Sequence, residues 1–115
     1  MKKAYYLKTC NTCLRILKEL NLPSDFILQD IKDEPVTVKQ LEEMKALAGS
    51  YEALFSKRAK LYKDMGLKNQ NLEARDYKRY ILEHYTFLSR PVFIINDAIF
   101  IGNSKKTVEA VKAVL

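Results

Sequence analysis

Hydrophobic and polar positions along this chain follow two rhythms, short continuous apolar runs and a 3.6-residue repeat, and each predicts an element. Residues 4–7, Ala4-Tyr5-Tyr6-Leu7, make an apolar run of strand length. Thr9, Cys10, Asn11 and Thr12, types suited to turns and helix N-caps, interrupt it. From Cys13 the apolar positions Leu14, Leu17 and Leu20, with Ile16 beside them, recur at helical spacing until Asn21, Leu22 and Pro23 stop the pattern. Phe26-Ile27-Leu28 is then a second strand. Strand, helix, strand in so short a stretch predicts a crossover joining a parallel pair.

Pro35 and Thr37 open a helix in which Val38, Leu41, Met44, Leu47 and Ala48 keep the helical period up to Gly49. Residues 51–55 form a short aromatic bridge, 57–65 a short basic helix closed by Gly66, and 72–85 an amphipathic helix with Tyr77, Ile81 and Tyr85 on one face. After Ser89-Arg90-Pro91, the runs Val92-Phe93-Ile94-Ile95 and Ala98-Ile99-Phe100-Ile101 flank the turn pair Asn96-Asp97 and predict a hairpin of two buried strands. Ser104 caps a last helix whose Val108, Val111 and Leu115 face inward. The order β-α-β, helices, β-β-α is α/β and matches the mixed four-stranded sheet of the thioredoxin fold. The helical segment, about residues 37–86, is an insertion between the two halves of one domain spanning 1–115.

A length of 115 residues suits one ordinary domain and not two. With 48% hydrophobic and 30% charged residues the composition is globular, and three Gly and three Pro exclude collagen-like or linker-like sequence. The longest apolar run, 92–101, is broken by Asn96 and Asp97 and falls short of a membrane span. No signal-peptide core precedes the first strand, so a cytoplasmic location is expected. The net charge of +6 permits acidic partners. Its basic residues, however, stand at helical spacing beside acids, as in Lys39 with Glu43, Glu42 with Lys45 and Glu109 with Lys112, the pattern of solvated helix faces. Neither direct DNA binding nor membrane association is expected.

Two cysteines spaced Cys10-x-x-Cys13 cannot staple a domain of this size, and in a reducing compartment such a pair is redox-active or metal-binding. Zinc requires four ligands, and beyond these two the chain offers one histidine, His84, on a distant helix near its C-terminal end. No metal or bound cofactor is therefore expected. A cysteine between a strand and a helix lies where backbone N–H groups converge and stabilise a thiolate. That assigns Cys10 as the attacking thiol, with Asn11 and Thr12 as extra hydrogen-bond donors and Cys13, inside the first turn, as the resolving thiol. Two merely buried cysteines are the plain alternative. Arg90-Pro91, before the third strand, is a second constellation, and its peptide bond can be either isomer. In a thioredoxin-like sheet this position faces the cysteine loop and brings the Arg90 guanidinium to the Cys10 sulfur, to steady a thiolate or an oxyanion; the alternative is a surface charge.

The chain resembles the arsenate reductase and Spx family, a thioredoxin-like group with an inserted helical segment. The resemblance rests on Thr9-Cys10-Asn11-Thr12-Cys13 within 6–17, Leu54-Phe55-Ser56-Lys57-Arg58 through Tyr62 and Gly66-Leu67, Phe87-Leu88-Ser89-Arg90-Pro91-Val92, and Ile101-Gly102. For glutaredoxin-linked arsenate reductases it implies that the cysteine matching Cys10 attacks arsenate with the help of three arginines. Arg90, beside Pro91, matches one of them. The second position is Ser56, with basic residues displaced to Lys57 and Arg58, and the third is Gly102. Arg58 substitutes for a lost arginine if it reaches the site. The Cys-x-x-Cys form and Ser56-Lys57-Arg58 are also similar to the Spx branch, redox-switched regulators that contact RNA polymerase. That branch carries a basic residue directly after the second cysteine, where this chain has Leu14 and then Arg15. The leading expectation is a thiol oxidoreductase in which Cys13, glutathione or glutaredoxin resolves what Cys10 attacks. The alternative is a Spx-like regulator whose cysteine pair switches its contact with polymerase.

Overall fold

A computed structural model describes all 115 residues, Met1–Leu115. Its elements are β1 (Lys2–Tyr6), α1 (Asn11–Leu20), β2 (Ile27–Asp30), α2 (Val38–Ala48), α3 (Lys60–Asp64), α4 (Ala74–Glu83), β3 (Val92–Ile95), β4 (Ala98–Ile101) and α5 (Lys105–Val114). Single 3₁₀ turns lie at Glu52–Leu54, Leu67–Asn69 and Tyr85–Phe87. The chain divides into two compact units, one of Met1–Glu34 with Arg90–Leu115 and one of Pro35–Ser89. No helix is long and apolar enough to cross a membrane.

The first unit holds one four-stranded sheet in the order β2-β1-β3-β4. Strand β1 runs parallel to β2, with Tyr6 opposite Asp30, and antiparallel to β3, with Ala4 opposite Phe93. Strands β3 and β4 form the hairpin, in which Asn96 takes a φ of 56° after Ile95. This is the mixed sheet that the element order predicts. Ala4, Phe93 and Ile95 pack with Ile16 and Leu20 of α1, Phe26, and Val108 and Val111 of α5 in one apolar cluster. Every residue of β3 is buried, because a central strand with two neighbours needs no polar face.

Four expectations are corrected here. The hairpin is not two buried strands: β4 lies at the sheet edge and its residues are exposed or half-buried. The second strand begins after Phe26 and runs Ile27–Asp30, and at the other edge of the sheet its Ile27 and Leu28 are 57% and 51% exposed. The buried stripe of α1 is Cys13, Ile16 and Leu20, and Leu14 is turned outward, because one residue along a helix rotates the side chain by about 100°. Leu115 lies past the end of α5 and is exposed.

In the second unit, Thr37 caps α2 through a reciprocal box in which its hydroxyl accepts from the Gln40 N–H and the Gln40 side chain accepts from the Thr37 N–H, each at 3.1 Å. The helix ends at Gly49, whose φ of 93° suits a residue without Cβ. Phe55 stacks on Phe87 at 5.1 Å between ring centroids and meets Tyr62 and Tyr77 edge-on. Main-chain bonds from Ser56 N–H to Phe87 C=O and from Ser89 N–H to Leu54 C=O tie the two ends of this cluster. Both later helices are shorter than the sequence pattern predicts. Ala59 is non-helical and α3 occupies only Lys60–Asp64. Glu73 caps α4 with Asp76, and at the other end His84 leaves the helix in an extended conformation. Tyr85 therefore starts a separate turn, and the buried residues of α4 are Tyr77, Tyr80 and Ile81.

Candidate active site

The cysteine loop forms where β1 ends and the chain must reverse into α1. The Cys10 N–H donates to Leu7 C=O at 3.0 Å, and the Cys10 C=O accepts the first helical bond from the Leu14 N–H at 3.1 Å. Cys10 is thus the N-cap residue of α1, in extended conformation. The orphan N–H groups of a first helical turn converge on that position. Cys10 is half-buried and Cys13 fully buried, and neither is in a disulfide.

The surroundings drive the two thiols apart. Burial opposes ionisation of Cys10, yet the Cys13 N–H, the Cys13 thiol, the Arg90 guanidinium and the Thr12 N–H together outweigh it and hold Cys10 below its ordinary 9.0. Burial pushes Cys13 up to about 11, and the Cys10 sulfur adds to the shift through its hydrogen bond and charge. The Leu7 N–H and Arg90 act the other way without cancelling it. The pair is therefore one thiol that ionises more readily than usual beside one that holds its proton.

This division has a measurable sign. An unfolded Cys13 ionises near 9.0 whereas the folded one keeps its proton to about 11, so in that window the unfolded chain binds fewer protons and stability falls as pH rises. Cys10 works oppositely: its contribution is present above its unfolded value and is lost as pH falls through its lowered folded value. A Cys13→Ser variant, lacking the buried thiol, is expected to lose less stability than wild type between pH 9 and pH 11, read as the change in urea midpoint.

Asn11 is exposed at the start of α1 and Thr12 is half-buried after it. Arg90 is half-buried and its charge acts on both sulfurs. The Arg90–Pro91 peptide bond is cis. Pro91 is buried, and its C=O accepts from the Gly102 N–H at 3.0 Å. The structure thus brings together Cys10, Thr12, Cys13 and Arg90. Arg58 belongs to the Pro35–Ser89 unit, exposed in the turn before α3. Sequence reasoning missed Leu7, whose main chain bonds to both cysteines; a main-chain role leaves no mark in residue type. No three His, Cys, Asp or Glu side chains gather into a group that could hold a metal. His84 sits at the C-terminal end of α4 with its ring edge-on to Phe87.

Against known proteins, the sequence pattern of the ArsC family matches residues 5–111. An arsenate reductase of Neisseria meningitidis serogroup A is 29% identical over 100 residues, 85% of this chain and 84% of that protein. An ArsC family related protein from Bacteroides fragilis has the same fold, with a TM-score of 0.77 at 18% identity and 96% of each chain covered. The arsenate reductase from Vibrio cholerae gives 0.75 at 18% identity over 99% of this chain and 97% of that one. A family pattern that spans the cysteine loop, the insertion, Arg90–Pro91 and most of α5, on a shared thioredoxin-like sheet, places the chain in the ArsC family.

Proposed function

We propose that the protein is a thiol oxidoreductase of the arsenate reductase type, with Cys10 as nucleophile and Arg90 steadying its thiolate and the bound anion. The observation that carries this reading is the placement of a half-buried Cys10 at the N-cap of α1 with the fully buried Cys13 in the first turn, which, with the Arg90 charge, favours ionisation of Cys10 over Cys13. With arsenate, the Cys10 thiolate attacks arsenic, an S–As bond forms, and a protonated arsenate oxygen leaves as water. A second thiol, Cys13 or glutathione, then attacks the Cys10 sulfur. The S–S bond forms, the S–As electron pair stays on arsenic, which becomes arsenite, and the thiol proton passes to an arsenite oxygen. Two further thiols, from glutathione directly or through glutaredoxin, reduce the disulfide. Derivatising Cys10 removes the part of the Cys13 shift that its neighbour adds, while burial, the larger cause, remains.

The test is arsenate-dependent NADPH consumption with glutathione, glutathione reductase and glutaredoxin, beside a Cys10→Ser control. Turnover lost in the control supports the reading, and a Cys10 that titrates as an ordinary thiol overturns it. Only Arg90 stands at one of the family's three arginine positions, with Ser56 and Gly102 at the others. A multiply charged oxyanion needs several charge-assisted donors. Cys10–Cys13 disulfide formation without arsenate turnover would therefore move the substrate to another disulfide. It would also favour a second reading, a redox switch on an RNA polymerase contact. The exposed Lys57, Arg58, Lys60 and Lys63 are the surface that favours that reading.

A further inference from the structure

We infer that Asp30 is a positioning residue for the cysteine loop, its carboxylate holding the main chain at Lys8 and thereby Leu7, which bonds to both cysteines. The inference rests on the reading of Cys10 as nucleophile and adds a residue to it. Asp30 ends β2 opposite Tyr6, and the Ile31 N–H closes the strand pair on Tyr6 C=O at 2.9 Å. Beyond that bond β1 has left the ladder, and its next amide lies exposed at the strand's end, open to a side-chain acceptor. Asp30 Oδ1 supplies it, accepting from the Lys8 N–H at 3.3 Å across 22 residues of sequence. The same oxygen accepts from the Lys32 N–H at 3.4 Å, a local turn that orients the carboxylate.

The turn held in this way meets the main chain of Cys10 and the sulfur of Cys13. Leu7 C=O receives the Cys10 N–H, and the Leu7 N–H bonds to the Cys13 sulfur. A Lys8 free to swing would carry Leu7 with it, loosening the position of Cys10 over the first turn of α1. The charged group among the strongest influences on the Cys10 sulfur is Arg90, and Asp30 is not among them; Lys8 and Lys32 flank Asp30 itself. Its influence therefore runs through the main chain and not through its charge.

The experiment measures two quantities in the full chain, hydrogen exchange at the Lys8 amide and the pH dependence of Cys10 alkylation by iodoacetamide, resolved by peptide mass. Asp30→Ala is expected to speed Lys8 exchange and to move the Cys10 midpoint upward by about half a pH unit. Asp30→Asn, which keeps an oxygen acceptor and removes the charge, is expected to follow wild type in both. Should Asp30→Ala fail to fold, Asp30→Glu, which keeps the charge and displaces the acceptor, is expected to give the same upward shift. An alkylation profile unchanged in the Ala or Glu variant, or an Asn variant that behaves like Ala, overturns the inference. If wild-type Cys10 alkylates as an ordinary thiol, the functional reading fails, and Lys8 exchange alone decides the role of Asp30.

Discussion

Serine in place of Cys10 is expected to lower turnover about a thousandfold or more, because a hydroxyl ionises far less readily than a thiol at neutral pH and gives no disulfide to resolve. The helix-terminal N–H groups and Arg90, which in wild type favour the thiolate, have no sulfur left to act on. Cys13→Ser separates the roles further. It leaves Cys10 in place and removes both the thiol that donates to it and the buried neighbour able to resolve it. If Cys13 resolves the adduct, this variant is expected to stall before its first turnover is complete, with the arsenic adduct held on Cys10, visible by intact mass. If glutathione resolves it, turnover persists and no trapped species accumulates. Steady-state rates and intact mass on the two variants check the assignment, and a Cys10→Ser protein with wild-type turnover would remove Cys10 from the chemistry.

Phe93→Ala is expected to cost about 3–5 kcal/mol, the range for deleting a fully buried aromatic from a packed core. Phe93 is fully buried on β3 and belongs to the cluster where Ala4, Ile16, Leu20, Val108 and Val111 meet. Its partner opposite on β1 is Ala4, too small to fill the vacated space. The melting temperature should fall by roughly 10–25 °C, measured by circular dichroism. An exposed position on the same sheet is the control: Leu28→Ala, at the outer edge, should change stability far less. A small effect at Phe93 would mean that β3 is not the centre of this core.

The parts of the fold written in local chemistry were legible from the chain. A strand-length run, a Thr-Cys-Asn-Thr turn and a helical repeat place Cys10 at a helix start, and the structure has it at the N-cap of α1. The mixed sheet followed from the order of elements, and the family resemblance carried by the cysteine loop and Arg90-Pro91 is matched by a family pattern over 5–111. What was not legible depends on neighbours distant in sequence. The exposure of Ile27 and Leu28 comes from β2 having a partner on one side only. Leu14 reads as a core position until the sheet decides which face of α1 it covers, and Cys13, a weaker apolar signal, takes that place. Tyr85 extends the α4 pattern by sequence alone, but His84 breaks the helix first. The Asp30–Lys8 contact joins a carboxylate to a main-chain amide, and no residue pattern marks such a bond.

Strand β1 draws its two neighbours from opposite ends of the chain, β2 within thirty residues and β3 only after the whole Pro35–Ser89 unit. During synthesis at about 5–20 residues per second, the ribosome therefore releases the cysteine loop several seconds before the arginine that steadies it. Through that interval β1 has one open edge, and Cys10 has the first turn of α1 but no guanidinium beside it. Among the groups that act on the Cys10 sulfur, the guanidinium is thus the last to be made, just ahead of the strand that closes the sheet.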